Sequence, residues 1–299
     1  MALLSVYNRL IRRDLARCGV ASRGVGLRGG AVHYYDAPGR AAGPPLVLVH
    51  GLGDSANSWY QTIIPLAREL GRVYALDLPG VGFSGLPAGR DHLSLEECVE
   101  VVADFCREVV REPCVLVGHS LGGALVLRLA ARDVQRWLGV AALAPPGARI
   151  AAAEWQALIH AFAVPDRAAG RALLGRIFTA PPWPLVLVEN DIRAVWRSAP
   201  VKKLIEAIRP GDFLGAAELG RIRCPCLLLW GTDERLLPPS LLDAFQRDLP
   251  PHARVEVVRG WGHAPQLERP TEVIERLIAF AESLPALGGA VATGRSQLL

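Results

Sequence analysis

The 299-residue chain contains no run of eighteen or more consecutive apolar residues, so no segment reads as a membrane-spanning helix, although mean hydropathy is +0.25. Lysine is nearly missing, with Lys202 and Lys203 the only two. Arginine therefore carries most of the 33 basic residues, and 29 acidic residues leave a net charge of +4. Those arginines are scattered along the chain. Nucleic-acid binding needs a concentrated basic face, so no nucleic-acid partner is expected. Cysteine is also sparse. Cys18, Cys98, Cys106, Cys114, Cys224 and Cys226 are too dilute for a small disulfide scaffold. Cys224-Pro-Cys226 lacks the two-residue spacer and the companion pair of common zinc sites. Reduced, structural cysteines and no metal or cofactor are the expectation. Hydrophobic residues, at 51%, exclude global disorder and suffice for a buried core.

Residues 1–30 are expected to form an N-terminal amphipathic helical segment. Leu3, Tyr7, Leu10, Ile11, Leu15 and Cys18 fall near one helical face, with Arg9, Arg12, Arg13 and Arg17 elsewhere. The apolar start is short and soon interrupted by arginine, unlike a signal peptide. Two readings follow for residues 1–18: packing on the domain, or lying on a membrane surface or flanking a pocket entrance. The expected location is cytoplasmic, with membrane association as the alternative.

Beyond residue 30, short apolar runs alternate with amphipathic segments, the pattern of a mostly parallel sheet covered by helices. Strands are expected at Val32–Tyr35, Leu46–His50, Val73–Leu78, Cys114–Gly118, Leu138–Leu143, Cys226–Trp230 and Arg254–Val258. Helices are expected at Trp59–Leu70, Leu95–Val110, Leu121–Ala131, Leu241–Asp248 and Thr271–Phe280, the second opened by a Ser94–Glu97 capping box. The rhythm breaks over residues 148–214, which read as a helical insertion. Trp155, Phe162, Phe178, Trp183, Trp196 and Phe213 make that stretch too apolar for a linker, so it is expected to act as a lid. The sheet core is then 31–147 and 215–285, and 286–299 a frayed tail.

Gly118-His119-Ser120-Leu121-Gly122 matches the G-x-S-x-G nucleophile elbow and lies between an expected strand and an expected helix. Such a turn is strained and crowded, which explains its glycines, and it lifts the serine hydroxyl to a helix N-terminus. A serine needs a base, and the base needs an orienting carboxylate. Asp233, just past the Cys226–Trp230 strand, and His263, past the last strand, are the candidates. A parallel sheet can bring such strand ends to one edge. Glu234 is a rival acid, expected to point the other way; Asp77 is expected to brace the Pro79-Gly80 turn. The oxyanion hole is expected from the backbone N–H groups of Leu52 and Leu121. His50 is expected to hold the Gly51–Gly53 loop, and His119 to occupy the variable position of the elbow.

The segments HGLGDS, DLPGVGFS, GHSLGG, GTDERLLP and GHAPQLERP, in this order and spacing, resemble the α/β-hydrolase superfamily over about residues 30–145 and 216–283. The insertion resembles that superfamily's helical cap, and the spacing is similar to bacterial esterases and monoacylglycerol lipases. The resemblance implies an α/β-hydrolase fold whose nucleophile, acid and base match Ser120, Asp233 and His263. It implies an acyl-enzyme esterase acting on a small, apolar ester without a cofactor. Relatives that cut carbon–halogen bonds or epoxides carry aspartate at the elbow, which Ser120 argues against. Hydrolysis of carbon–carbon bonds in ring-fission diketones, or ligand binding without turnover, are the alternatives.

Overall fold

A computed structural model describes residues 2–39, 43–180 and 189–285. Helix α1 (Ala2–Arg17) leads into β1 (Ala21–Leu27) and β2 (Gly30–Ala37), joined by a two-residue turn at Arg28-Gly29. The expectation of a helical segment over 1–30 therefore needs correction, since its last third is a strand. β1 reads Ala-Ser-Arg-Gly-Val-Gly-Leu and is half exposed at the sheet edge, so neither an apolar run nor clean alternation marks it. Next come β3 (Leu46–Val49), α2 (Tyr60–Glu69), β4 (Val73–Leu76), α3 (Leu95–Phe105), β5 (Val115–His119), α4 (Leu121–Arg132) and β6 (Gly139–Leu143). The described part of the segment between β6 and β7 holds α5 (Ala152–Phe162), α6 (Arg167–Ile177), α7 (Glu189–Trp196) and α8 (Ala199–Ala207). After α9 (Ala216–Leu219) come β7 (Cys226–Gly231), α10 (Pro239–Asp248), β8 (Arg254–Val258), α11 (Pro265–Glu268) and α12 (Pro270–Glu282). Trp183 and the 286–299 tail lie outside the described residues.

Among the described residues the strands form one eight-stranded sheet ordered β1-β2-β4-β3-β5-β6-β7-β8. β2 runs antiparallel to both neighbours and the remaining pairs are parallel. Central strands β3 to β7 are buried at every residue, which is why they read as continuous apolar runs. Alternation still sorts the side chains. Val47 and Val49 face the core shared with α3, α4 and the insertion, whereas Leu46 and Leu48 face the core shared with α1, α2 and α12. Ile11 and Leu15 belong to that second core, and Leu4 N–H donates to Asp191 Oδ2 of α7 at 2.8 Å. One face of α1 therefore packs on the domain. Leu3, Val6 and Leu10 on another face remain exposed.

The ends of the insertion meet where the apolar rhythm breaks: Ala148 and Leu214 form an isolated parallel bridge, and Leu214 N–H donates to Gly147 O at 2.6 Å. All six cysteines are free thiols, five of them buried. Burial pushes the Cys98 thiol up to about 12 and Cys224 to about 11, so neither is a ready nucleophile at neutral pH.

The approach of α4 to the sheet leaves no space for a side chain at its first turn. A Cβ on Gly122 would lie 2.3 Å from Val49 O and 2.6 Å from His50 O, both backbone atoms that cannot swing aside. Gly122→Ala should therefore push α4 off β3. The expected cost is about 1–3 kcal/mol or more, read as a fall of several degrees in the thermal unfolding midpoint.

Candidate active site

β5 ends in a turn that gives Ser120 φ 49° and ψ −120°, a conformation that costs a non-glycine residue of order 1–3 kcal/mol. Hydrogen bonds on both sides hold it there. Ser120 N–H donates to Leu143 O at 2.9 Å, and Ser120 O accepts from Ala124 N–H at 3.0 Å. Gly118 is needed for the same reason as Gly122: its Cβ would lie 2.2 Å from Gly122 O. The turn leaves the Ser120 hydroxyl on the wall of a cavity of about 620 Å³.

His263 comes from the loop after β8. Its Nε2 lies 3.0 Å from Ser120 Oγ, placed to accept the hydroxyl proton, and its Nδ1 lies 2.7 Å from Glu234 Oε2. Both side chains are nearly sealed from solvent, at 3% and 2% exposed. The carboxylate contact expected of Asp233 is thus made by Glu234. Adjacent residues do point opposite ways here, with the assignment reversed. Asp233 N–H is tied to Trp261 O at 2.9 Å, and its carboxylate turns outward to accept from the Thr232 hydroxyl at 3.0 Å. Glu234 turns inward, and its Oε1 accepts from Leu236 N–H and Leu237 N–H at 2.7 and 3.0 Å. That pair of bonds fixes the carboxylate and leaves Oε2 for the imidazole. Glutamate has the extra methylene that lets one carboxylate close its own turn and still reach the ring.

His119 and His50 have structural roles that the tautomers make explicit. His119 Nε2–H donates to the His263 carbonyl at 2.8 Å. Burial, and then the neighbouring His263, hold the His119 pKa well below the usual imidazole range, so the ring is neutral and steadies the loop that carries His263. His50 Nε2 accepts from Leu78 N–H at 2.9 Å, so Nδ1 carries the proton and donates to Gly51 O at 2.7 Å. In a trans peptide the Leu52 N–H then points away from that carbonyl. Leu52 and Gly51 line the cavity, and a Cβ on Gly51 would sit 3.2 Å from Ser120 Cβ. Leu121 opens α4, where an N–H has no intrahelical acceptor. Leu52 and Leu121 therefore flank the serine as two candidate donors.

Asp77 braces its turn. Its carboxylate accepts from Ala56 N–H at 2.7 Å and Phe83 N–H at 2.8 Å, and contacts His33 Nδ1 at 2.8 Å. His33 Nε2 in turn meets Ser22 Oγ at 2.8 Å. This second Ser–His–Asp chain of contacts lies off the cavity and locks β1, β2 and the Asp77–Ser84 loop together. One contributor escaped the sequence reading. Glu268 Oε1 accepts from Thr179 N–H, Thr179 Oγ1 and Ala180 N–H at 2.8, 2.6 and 3.0 Å, and Ile177 O accepts from His263 N–H at 3.2 Å. The insertion is thereby fastened to the loop that carries the imidazole. No signal in the sequence links residues 177–180 to 263–268, because the contact is made between distant loops.

Residues 46–276 match the family described as the alpha/beta hydrolase family. A dihydrolipoyllysine-residue acetyltransferase component of the acetoin cleaving system from Pseudomonas putida is 31% identical over 84% of this chain and 67% of that protein. A pimeloyl-[acyl-carrier protein] methyl ester esterase from Aeromonas hydrophila subsp. hydrophila is 28% identical over 80% of this chain and 95% of its own length. Among solved structures, one described as a membrane phospholipase A superposes with a TM-score of 0.79 at 28% identity, covering 94% of this chain and 90% of the other. With its sheet order, its serine turn and a family match over most of its length, the chain belongs to the alpha/beta hydrolase family.

Proposed function

We propose that the protein is a serine esterase that cleaves carboxylic esters with an apolar acyl or aryl part. The observation that carries this reading is the unbroken line Ser120 Oγ–His263–Glu234 opening into a cavity with an apolar side. Phe162, Ile192, Val195 and Trp196 of the insertion, with Leu236 and Leu267, form that side. It suits an acyl chain or aromatic ring better than a charged group.

The steps use only groups of the chain and water. Ser120 Oγ attacks the ester carbonyl carbon while His263 Nε2 takes the hydroxyl proton. Glu234, bonded to Nδ1–H, stabilises the imidazolium that results. The carbonyl oxygen becomes an oxyanion between the N–H groups of Leu52 and Leu121, each worth about 3 kcal/mol of barrier. Collapse breaks the carbon–alkoxy bond, and His263 returns the proton to the departing alcohol. Water then attacks the acyl-serine with His263 as base, releasing the acid and restoring Ser120. The ester-cleaving relative and the lipase-type neighbour support the same chemistry.

We also propose that α1 rests on a lipid surface. Leu3, Val6 and Leu10 are 60%, 50% and 53% exposed and follow one another at helical spacing, with exposed Arg9, Arg13 and Arg17 to meet anionic headgroups. Leu4, Tyr7 and Asn8 of the same helix line the cavity. A substrate leaving the lipid would enter beside the surface contact. Among the described residues no helix is long and apolar enough to cross a membrane.

Ser120→Ala should abolish labelling by a fluorophosphonate probe and lower p-nitrophenyl ester turnover at least about a thousandfold. Glu234→Gln should lose at least about a hundredfold in kcat, while Asp233→Asn stays within about threefold. Wild-type turnover in Glu234→Gln, or cleavage of a ring-fission diketone with no ester turnover, would overturn the respective assignment. For α1, the Leu3→Asp/Leu10→Asp double variant should leave esterase turnover of a water-soluble ester intact and lose co-sedimentation with anionic vesicles. Equal sedimentation of the two proteins counts against the lipid contact.

A further inference from the structure

Part of the cavity lining has a different chemistry. It is built by Asp54, Asn57, Ser58, Tyr60 and Gln61, together with Tyr7 of α1. Among the described residues no lysine or arginine lines the cavity, in a chain that holds 33 of them. One group on this wall lacks a hydrogen-bond partner and a second lacks a counter-ion. Asn57 is 6% exposed; its Oδ1 accepts from the Tyr35 hydroxyl at 2.7 Å, and its Nδ2 has no hydrogen-bond partner. That donor is itself closed to solvent, so what Asn57 adds to the wall is a held polar amide rather than an open contact.

Asp54 is the other. Ser55 N–H donates to its Oδ1 at 2.7 Å, and the Ser58 hydroxyl lies beside it, but among the described residues no cation pairs with it. The nearby His50 accepts the Leu78 N–H at Nε2, so its ring is bonded to the backbone rather than to Asp54. Burial accordingly holds the Asp54 carboxyl above the usual carboxylate range. Tyr7, Tyr60 and Asp54 line the same cavity, and burial, then Tyr60 and Asp54, raise the Tyr7 hydroxyl. A carboxylate and two phenol rings on one cavity wall offer an organic cation Coulomb attraction and aromatic contact.

An ester has two arms. With the apolar acyl arm against the insertion, the alcohol arm falls on the polar wall. We infer that this wall is a subsite for a cationic amino alcohol, with Asp54, Tyr7 and Tyr60 meeting the ammonium group. The inference rests on the esterase reading and names the leaving group for that site. Binding of the cation removes the cost of an unpaired buried acid, so part of the recognition energy comes from a group strained in the free protein. Alcohols that carry a carboxylate or phosphate meet the one acidic side chain on the wall and no compensating base.

Three butyrate esters separate the possibilities: the choline ester, its uncharged isostere 3,3-dimethylbutyl butyrate, and the anionic carboxymethyl ester. The choline ester should exceed the uncharged isostere at least tenfold in kcat/KM, and the anionic ester should be the poorest of the three. In Asp54→Asn the choline-to-isostere ratio should collapse to within about twofold. Free choline should also bind the Ser120→Ala protein by calorimetry and bind the Ser120→Ala/Asp54→Asn protein at least tenfold more weakly. A wild-type ratio near one, or equal losses for both esters in Asp54→Asn, would overturn the subsite while leaving the esterase standing. Absence of any ester turnover with choline still bound would instead overturn the esterase and keep the cation site. No choline binding by the Ser120→Ala protein overturns the subsite directly.

Discussion

The backbone of β5, β3 and the first turn of α4 meet with no side chain between them, and the active-site geometry depends on that contact. Gly118 and Gly122 touch each other's backbone, and Gly122 abuts the carbonyls of Val49 and His50. Only so close an approach lets the chain reverse within one residue and hold Ser120 at positive φ. The strain is local, whereas the restraints are spread over Leu143, Ala124 and the β3 end. A serine on a relaxed turn would drop its hydroxyl toward the sheet. Here the hydroxyl stands at the helix N-terminus, beside the loop whose peptide His50 orients. Candidate nucleophile and candidate oxyanion donors are therefore set by one packing event.

The imidazole is restrained from several directions as well. Glu234 grips Nδ1, His119 holds the His263 carbonyl, and Ile177 accepts the His263 N–H. The last of these belongs to the insertion, which Glu268 fastens nearby. The inserted helices therefore do more than line the cavity, because their position bears on the placement of the candidate base. A shift of α6 would be felt at His263 through the Ile177 carbonyl, so the position of the insertion and that of the candidate base are linked.

Much of this was legible in the sequence for reasons that differ from residue to residue. Strands buried on both faces must be apolar throughout, so β3 to β7 declared themselves. Ser120 stands in a turn whose glycines are required sterically, and such turns leave a motif. β1 is exposed and glycine-rich at the edge, and edge position is a property of the assembled sheet. The choice between Asp233 and Glu234 could not be read either. Both follow the strand and both carry a carboxylate, and what separates them is which backbone N–H groups the turn presents. Leu236 and Leu237 supply those donors to Glu234, while Trp261 draws in the Asp233 backbone. A residue two or three positions after its own acid decides the pairing, and composition has no access to it.

Charge shows the same separation between what a sequence totals and what a site feels. The chain is net positive, yet its arginines are spent at the surface. Arg128 and Arg132 bind Glu96 and Glu100, Arg72 and Arg23 close on the buried Asp36 carboxylate, and Arg28 and Arg107 close on Asp104. Such pairs stitch helices and strands to one another and neutralise acids that are themselves structural. The acids near the active site are treated differently. Asp77 and Glu234 are satisfied by backbone N–H groups and histidines, so their negative charge is held without a competing cation. An arginine beside Glu234 would draw the carboxylate away from His263 and weaken its hold on the developing imidazolium. Among the described residues no lysine or arginine lines the cavity, so neither the proposed relay nor the polar wall beside it meets a competing cation there.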